Sequence, residues 1–136
     1  MEIWIGVSNS AMAKLDEDGR LEVCDHPGDA EGVGQVLRIW TEGADSVTAL
    51  TSGPWSELRK LSTAALAALD IKVEPVPAFA WQADVIGPDE TTRDAATRLY
   101  PSLGLFHDEA HGGRAIAAIL ATFGRFFFRP VSVKDT

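Results

Sequence analysis

The sequence has one cysteine, no long apolar run and a shortage of basic residues. A lone Cys24 can form no internal disulfide and supplies no metal cluster, and we expect it to be a small buried thiol at a strand end. No apolar run approaches the roughly 20 residues of a membrane span, and no basic stretch precedes the opening EIWIGV. We therefore expect a cytoplasmic protein that does not enter a membrane.

Acidic residues outnumber basic ones by 20 to 12, which gives a formal net charge of −8 and a pI near 4.7. Proteins that hold duplex DNA by its phosphates usually gather Lys and Arg into a patch. The overall charge therefore disfavours nonspecific nucleic-acid binding and favours a protein partner. A local patch stays open, because five arginines lie in the last third: Arg93, Arg98, Arg114, Arg125 and Arg129.

The length of 136 residues, with 46% hydrophobic and 24% charged residues, indicates one globular domain spanning 1–136. EIWIGV is typical of a strand, and AMAKLDEDGRLEVCD predicts two more strands around a tight turn at Asp18 and Gly19. Apolar residues at helical spacing then predict a helix over 33–40, and DSVTAL predicts the next strand.

The second half alternates helices and strands. The spacing predicts a helix over 55–69 with Leu58, Leu61, Ala65 and Leu69 on one side, and then a strand, IKVEPV, that stops at Pro77. The stretch 77–90 is expected to be mostly loop or a short helix, followed by helices over 91–100 and 111–123. Hairpins first and alternation later predict an α/β fold, a mixed sheet covered by helices.

Four stretches in order carry a resemblance to a known family: IWIGV with its hairpin AMAKLDEDGRLEVCDHP, LAALDIKVEPVPAFAWQ, RDAATRLYP, and HGGRAIAAILATFGR. They resemble the opening turn and Val-x-Asp-x-Pro hairpin, the Pro-x-x-Trp segment, the Ala-x-x-Leu-Phe-Pro helix and the His-Asp-Gly-Arg-Ala-Asp-Ala-Leu helix of the RuvC-like crossover-junction resolvases. The short forms encoded by phages are the most similar. The resemblance covers nearly the whole chain and implies a ribonuclease H-like mixed sheet.

The resemblance also implies a metal centre whose carboxylates are missing from this chain. Members of the family use acidic residues from the first strand, the fourth strand and the last helix to hold two divalent ions at a phosphodiester. Neutral hydroxyls, glycine and isoleucine cannot replace the carboxylates that Mg²⁺ requires. The corresponding positions here are Ser8, Thr51 or Ser52, Gly112 or Gly113, and Ile116.

Three residual candidates stand just before the last helix: Asp108, Glu109 and His111. The two carboxylates suit the positive end of the helix dipole, which is a structural role, but Asp108, Glu109 or Asp25 could also be recruited to a shifted metal site for Mg²⁺. Asp25 otherwise matches a non-catalytic aspartate of the family. The position of the family's lysine falls near Asp89, so this chain has a negative charge where the family has a positive one.

The aromatic residues offer two further candidates. Trp55 and Trp81 could stack on unpaired bases, although packing in the core is the commoner role. Phe126, Phe127 and Phe128 cannot all face one core, so they form either a final strand buried on both sides or part of an interface.

Three hypotheses follow. The first is a RuvC-like pseudo-nuclease without cofactor, which acts as a protein-interaction or assembly module and forms a homodimer. The second is a protein that binds branched DNA without cutting it, through a patch of Arg93, Arg98 and Arg114. The third is an active nuclease with relocated carboxylates and Mg²⁺.

Overall fold

The computed structural model describes residues 1–52, 56–101 and 112–128. The described strands and helices follow one another in the order β1 (Glu2–Val7), β2 (Ala11–Asp16), β3 (Leu21–Asp25), α1 (Ala30–Thr41), β4 (Ser46–Thr51), α2 (Glu57–Ala67), β5 (Val73–Pro75), α3 (Ala78–Val85), α4 (Thr92–Leu99) and α5 (Gly113–Phe126). This order matches the sequence prediction, with the short helix α3 inside 77–90.

The five strands form one mixed sheet in the order β3-β2-β1-β4-β5. The strands β1, β2 and β3 are an antiparallel meander, whereas β4 runs parallel to β1 and β5 runs parallel to β4. The register pairs Val7 with Thr51, so β1 and β4 end at the same edge of the sheet. The predicted mixed sheet is confirmed.

The turn between β2 and β3 forms as the sequence predicts. Gly19 has a φ of +83°, a value that glycine adopts at no steric cost. The carboxylate of Asp16 accepts hydrogen bonds from the backbone amides of Asp18 and Arg20, at 2.9 and 3.0 Å. Local hydrogen bonds therefore fix the hairpin and its register.

Each face of the sheet carries its own hydrophobic core. On one face, Ile5 and Leu37 belong to a cluster that α1 and α2 cover. On the other, Leu50 and Ile119 belong to a cluster of α3, α4 and α5. Full burial of one such side chain stabilises the fold by about 1.5–3 kcal/mol, so both helical layers are anchored by apolar burial.

The helix α5 crosses β1 at Gly6 in unusually close contact. A Cβ atom added at Gly6 would lie 2.2 Å from the carbonyl oxygen of Ala117 and 2.8 Å from the amide nitrogen of Ala121. Both neighbours are backbone atoms that cannot move aside without shifting the helix. The glycine therefore sets how closely α5 sits on the sheet, and it holds the first turn of the helix near the ends of β1 and β4.

Several predicted boundaries were wrong. The strand β5 covers only Val73–Pro75 instead of 71–76, and α2 begins at Glu57, where the Ser56 side chain caps the Arg59 amide. The helix ends at Ala67, so Leu69 lies beyond it and is 38% exposed instead of packing with Leu58.

The thiol of Cys24, which the sequence predicts to be buried, is only partly buried. Within the described ranges, no helix combines the length and apolar character needed to cross a bilayer.

Candidate functional site

The ends of three elements meet where the resemblance implied a metal centre. Ser8 follows β1, Thr51 ends β4, and Gly113 begins α5. A Cβ atom added at Gly113 would lie 3.0 Å from the hydroxyl oxygen of Ser8, and the Thr51 hydroxyl donates to the carbonyl of Val7 at 2.9 Å. The chain therefore brings these predicted positions together at one edge of the sheet, and all three are neutral.

Ser8 is 1% exposed, and its hydroxyl is fully occupied within the protein. Its Oγ accepts hydrogen bonds from the amides of Ser10, at 3.3 Å, and Ala11, at 3.1 Å, and donates to the carbonyl of Ala11 at 3.2 Å. A hydroxyl donates one hydrogen bond and accepts two, so no capacity is left for a metal ion or substrate. Ser8 closes the turn between β1 and β2.

The two hydroxyls at the end of β4 also have internal partners. Ser52 Oγ accepts a 2.9 Å hydrogen bond from the indole N–H of Trp81, which is 4% exposed. The Thr51 carbonyl accepts the Val76 amide at 2.8 Å, next to the hydroxyl bond to β1. Trp81 is therefore a core side chain tied to β4, as the commoner interpretation expected, and it offers no face for base stacking.

The first turn of α5 supplies no acidic side chain to this edge. A Cβ atom at Gly113 would lie 1.8 Å from Ser10 Oγ and 3.1 Å from Ser10 Cβ, so any side chain there requires Ser10 to move. Gly112 is the N-cap residue and has no side chain with which to cap the helix. One turn later, Ile116 is partly buried against the core around α5. At this position, where the resemblance implies a ligand, the structure shows an apolar side chain.

No group of three or more His, Cys, Asp or Glu residues that could hold a metal ion occurs in the described parts of the chain. The residual candidates Asp108, Glu109 and His111, like Trp55, lie outside the described residues. The shifted metal site therefore stays a prediction. Its fourth candidate, Asp25, is described and has a different partner.

Asp25 pairs with Arg114 across the gap between β3 and α5. The guanidinium donates two hydrogen bonds, from Nε at 2.7 Å and from Nη2 at 2.5 Å, to the two carboxylate oxygens. The hydrogen bonds from Arg114 hold the pKa of Asp25 below its ordinary value. This bidentate pair links the edge strand to the first turn of the last helix, which agrees with a structural role for Asp25.

Arg98 forms a second bidentate pair, with Glu90, beside the turn between α3 and α4. Its Nε and Nη2 donate to the two carboxylate oxygens at 2.8 Å each, and Nη2 also donates to the Val85 carbonyl at 3.1 Å. Hydrogen bonds from Arg98 and from the Gly87 amide lower the pKa of Glu90 to about 2. Arg93 lies on the same helix, at its second residue.

The paired carboxylates weaken the case for an arginine patch. Two of the three predicted DNA-binding arginines, Arg98 and Arg114, face acidic partners, which cancel much of their positive potential. Asp89, the exposed residue near the family's lysine, adds negative charge beside Glu90. Binding to DNA through this patch stays a prediction, and a phosphate would have to compete with Asp25 for Arg114.

Comparison with solved structures identifies the architecture. The T. thermophilus RuvC in complex with a Holliday junction substrate is 14% identical, with a TM-score of 0.51 over 93% of this chain and 95% of that one. The fold is ribonuclease H-like. At this identity the likeness shows the fold alone, without the activity.

Other comparisons add no argument about function. A Ppx/GppA protein from Aquifex aeolicus matches with 13% identity and a TM-score of 0.38, over 62% of this chain and 39% of that one. A second A. aeolicus PPX-GPPA structure matches with 12% identity and a TM-score of 0.37, over 62% and 40%. No family model and no curated protein match the sequence.

The far end of α5 in this ribonuclease H-like fold exposes aromatic side chains. Phe126 is the last residue of the helix and is 55% exposed, and Phe127 after it is 47% exposed. The alternative of a final strand buried on both sides is wrong at Phe126, because the helix continues past the predicted end at Phe123. Phe128 is partly buried and packs against the core.

Sequence reasoning missed the contact between Trp4 and Arg125 at this end. The Arg125 guanidinium carbon lies 5.6 Å from the Trp4 ring centroid and 4.8 Å from that of Phe126. Trp4 and Arg125 are separated by nearly the whole chain, so no local spacing signals their contact. Only the docking of α5 on β1 brings them together.

Proposed function

We propose that this ribonuclease H-like domain does not cleave DNA and acts as a protein-binding or assembly module, most simply as a homodimer. The observation that carries the proposal is the hydrogen bonding at the ends of β1 and β4. The hydroxyls of Ser8, Thr51 and Ser52 bond to atoms of the protein itself, where a metal-dependent nuclease needs carboxylates.

The electrostatics of a two-metal mechanism support this interpretation. Two divalent cations bring four positive charges to one edge of the sheet, and Mg²⁺ binds through carboxylate oxygens together with substrate phosphates. The described residues offer neutral hydroxyl oxygens that already have partners within the protein, a glycine and Ile116. A cation at this edge would lose its hydration shell without gaining compensating charge.

The surface favours a protein over nucleic acid as partner. The net charge of −8 repels phosphates, and the guanidiniums of Arg98 and Arg114 already face carboxylates. Exposed rings at Phe126 and Phe127 resemble the aromatic anchors that dominate protein interfaces. In this proposal, the domain is a stable scaffold that presents the exposed rings of Phe126 and Phe127 to a protein partner.

A second candidate is binding of branched DNA without cleavage. It is favoured by the likeness to a RuvC structure that contains a Holliday junction substrate, and by the position of Arg114 beside the former active-site edge. A third candidate, an active nuclease with carboxylates from Asp108 and Glu109, rests on the sequence alone. One assay distinguishes the three.

The assay uses a synthetic four-way DNA junction and the full chain. Binding is measured by gel shift at moderate salt, and cleavage is measured with Mg²⁺ and then Mn²⁺. We expect neither binding nor cleavage. Junction binding without cleavage, reduced in Arg114→Gln but not in Arg59→Gln, would replace the proposal with the second candidate. Cleavage that disappears in the Asp108→Ala, Glu109→Ala double variant would establish the third.

The homodimer is tested by sedimentation equilibrium over a range of protein concentrations. We expect a mass of twice the 14.6 kDa chain at the higher concentrations. A monomer throughout the range would remove the homodimer and leave a module that binds a different protein.

A further inference from the structure

The C-terminal end of α5 presents two exposed rings that the fold holds in fixed positions. Phe127 stacks on Phe123, with ring centroids 6.1 Å apart and planes 24° apart. Phe123 itself is 6% exposed and belongs to the core. The exposed ring is therefore supported by a buried one, so little conformational entropy is lost when a partner covers it.

Arg125 holds Phe126 in place from the other side. Its guanidinium lies over the Phe126 ring and reaches the Trp4 ring, while its Nη1 and Nη2 donate to the carbonyls of Asp16 and Glu17 at 3.2 and 2.8 Å. Such cation–π contacts contribute about 0.5–1 kcal/mol at exposed sites. The arrangement connects the rings to the turn between β2 and β3.

A group of carboxylates lies at the start of β1 and in the turn beside Arg125, whose guanidinium contacts the Trp4 and Phe126 rings. The members are Glu2, at the start of β1, Glu17 and Asp18, in the turn beside Arg125, and Asp45, whose carboxylate contacts the Met1 amino group. The backbone amide of Glu2 donates to the Glu17 carboxylate, which also lies 4.0 Å from the Met1 nitrogen. The side chains of Glu17 and Asp45 are 51% and 85% exposed, so both remain open to a partner.

We infer that this aromatic–acidic surface, formed by Trp4, Phe126 and Phe127 with the carboxylates of Glu2, Glu17, Asp18 and Asp45, docks a protein segment that carries apolar side chains flanked by Lys or Arg. The inference rests on the proposed function, in which the domain binds a protein, and it names the chemistry of a partner that is not a second copy. The rings supply apolar area, and the carboxylates select positive charge at the rim.

Charge complementarity favours a basic protein segment over a second copy, DNA or an anionic lipid as the partner of this surface. Among the described residues of this region, these four carboxylates and the hydrogen-bonded carboxylate of Asp16 stand against three cations: Arg20, Arg125 and the Met1 amino group. A second copy docked by a twofold axis would face the same negative excess, and the phosphates of DNA or of an anionic lipid would be repelled. A segment with basic residues gains attraction from the same charges.

The test uses two synthetic amphipathic helical peptides as probes, one of Leu and Lys and one of Leu and Glu. Binding to the full chain is followed by tryptophan fluorescence and by calorimetry at moderate salt. We expect the Leu–Lys peptide to bind with a stoichiometry of one to one and the Leu–Glu peptide not to bind. Equal binding of both peptides, or of neither, would overturn the inference.

Matched variants locate the binding site. The Phe126→Ser, Phe127→Ser double variant should weaken Leu–Lys binding about tenfold or more, as loss of an aromatic anchor does. The control Phe79→Ser changes a phenylalanine on α3 that is 73% exposed, and it should leave the affinity unchanged. Equal loss in both would indicate binding by general hydrophobicity and would overturn the inference.

The acidic rim is tested in the same way, with folding checked by circular dichroism. The Glu17→Lys, Asp18→Lys double variant should weaken the Leu–Lys peptide about tenfold and admit the Leu–Glu peptide. The exposed Asp89→Lys and Asp84→Lys pair is the control for net charge, and equal loss there would overturn the inference. So would self-association of the chain that disappears in Phe126→Ser, because the surface would then belong to a second copy.

The outcomes for this inference and for the proposed function are separable. Junction cleavage would overturn the proposed function whatever the peptides do. Absence of cleavage together with absence of selective peptide binding would overturn only the assignment of this surface.

Discussion

The two ends of α5 differ in how their side chains are used. At the first turn, Gly113 lies against Ser8 and Ser10, and the Ser8 hydroxyl is hydrogen-bonded to the backbone of Ser10 and Ala11. At the last turn, Phe126 and Phe127 are about half exposed. The 14-residue helix separates the two ends by about 20 Å. The described side chains at the first end make internal contacts, whereas the rings at the opposite end are exposed.

The largest effect should come from comparing Phe123 with Phe126, which are three residues apart on the same helix. Phe123→Ala removes a core ring and should lower the free energy of unfolding by about 3–5 kcal/mol. Phe126→Ala removes an exposed ring and its contact with Arg125, and should cost less than about 1 kcal/mol. Urea unfolding measures both. A similar loss for the two variants would show that the C-terminal end is core and not a surface.

The second comparison concerns the contact between Gly6 and the middle of α5, which holds the two ends of the helix in place. Gly6→Ala places a Cβ atom against the backbone of Ala117 and Ala121, so we expect a loss of about 2–3 kcal/mol. The control Gly34→Ala, in α1, meets no atom within 4 Å and should stabilise the protein by about 0.5–1 kcal/mol. If Gly6→Ala is neutral by urea unfolding, α5 does not lie this close to β1.

Near the first turn of α5, Ser8→Ala removes the hydroxyl that accepts hydrogen bonds from the buried amide of Ala11 and from the amide of Ser10. We expect a loss of about 1–3 kcal/mol, the usual cost of an unsatisfied buried group. Ser10→Ala changes an exposed hydroxyl nearby and should stay within about 0.5 kcal/mol of the parent. Both variants are measured by thermal and urea unfolding. Equal losses of stability in Ser8→Ala and Ser10→Ala would mean that the Ser8 hydroxyl does not hold the turn between β1 and β2.

The smallest effect concerns the two arginines at the ends of α5. Because Arg114 depresses the pKa of Asp25, this carboxylate stabilises the fold above its unfolded pKa, and the contribution is lost as the pH falls through the lower folded value. Arg125 bonds to backbone carbonyls, so its contacts do not titrate in that range. Carboxyl NMR should show the Asp25 pKa rising in Arg114→Gln and unchanged in Arg125→Gln. An unchanged value in both variants would mean that the pair does not persist in solution.

The local parts of the fold were predictable from the sequence. The turn at Gly19 and the helix α1 with Val33, Leu37 and Trp40 follow from residue type and from spacing over a few positions. The ends of α2, β5 and α5 were predicted less well. A helix that stops at Ala67 or continues to Phe126 is decided by packing against other elements, and the apolar pattern around Leu69 carries no information about that packing.

The candidate site was likewise predictable only in part. The positions Ser8, Thr51 and Gly113 were identified from the sequence, and so was their lack of carboxylates. Their hydrogen bonds were not, because the partner of Ser52 is Trp81, which lies on α3 and is 29 positions further along the chain. The pairing of Asp25 with Arg114 likewise joins residues 89 positions apart.

The sequence by itself determined the strand meander, the alternation that follows it, the negative charge and the neutral residues at the positions where the resemblance implies metal ligands. These properties depend on residue identity and short-range spacing, which a linear chain displays directly. Only the tertiary structure decided that the hydroxyls are satisfied internally, that two arginines face carboxylates, and that Arg125 lies over Trp4 and Phe126. Those contacts depend on the register of β1 with β4 and on the close approach of α5 at Gly6, which no local pattern encodes.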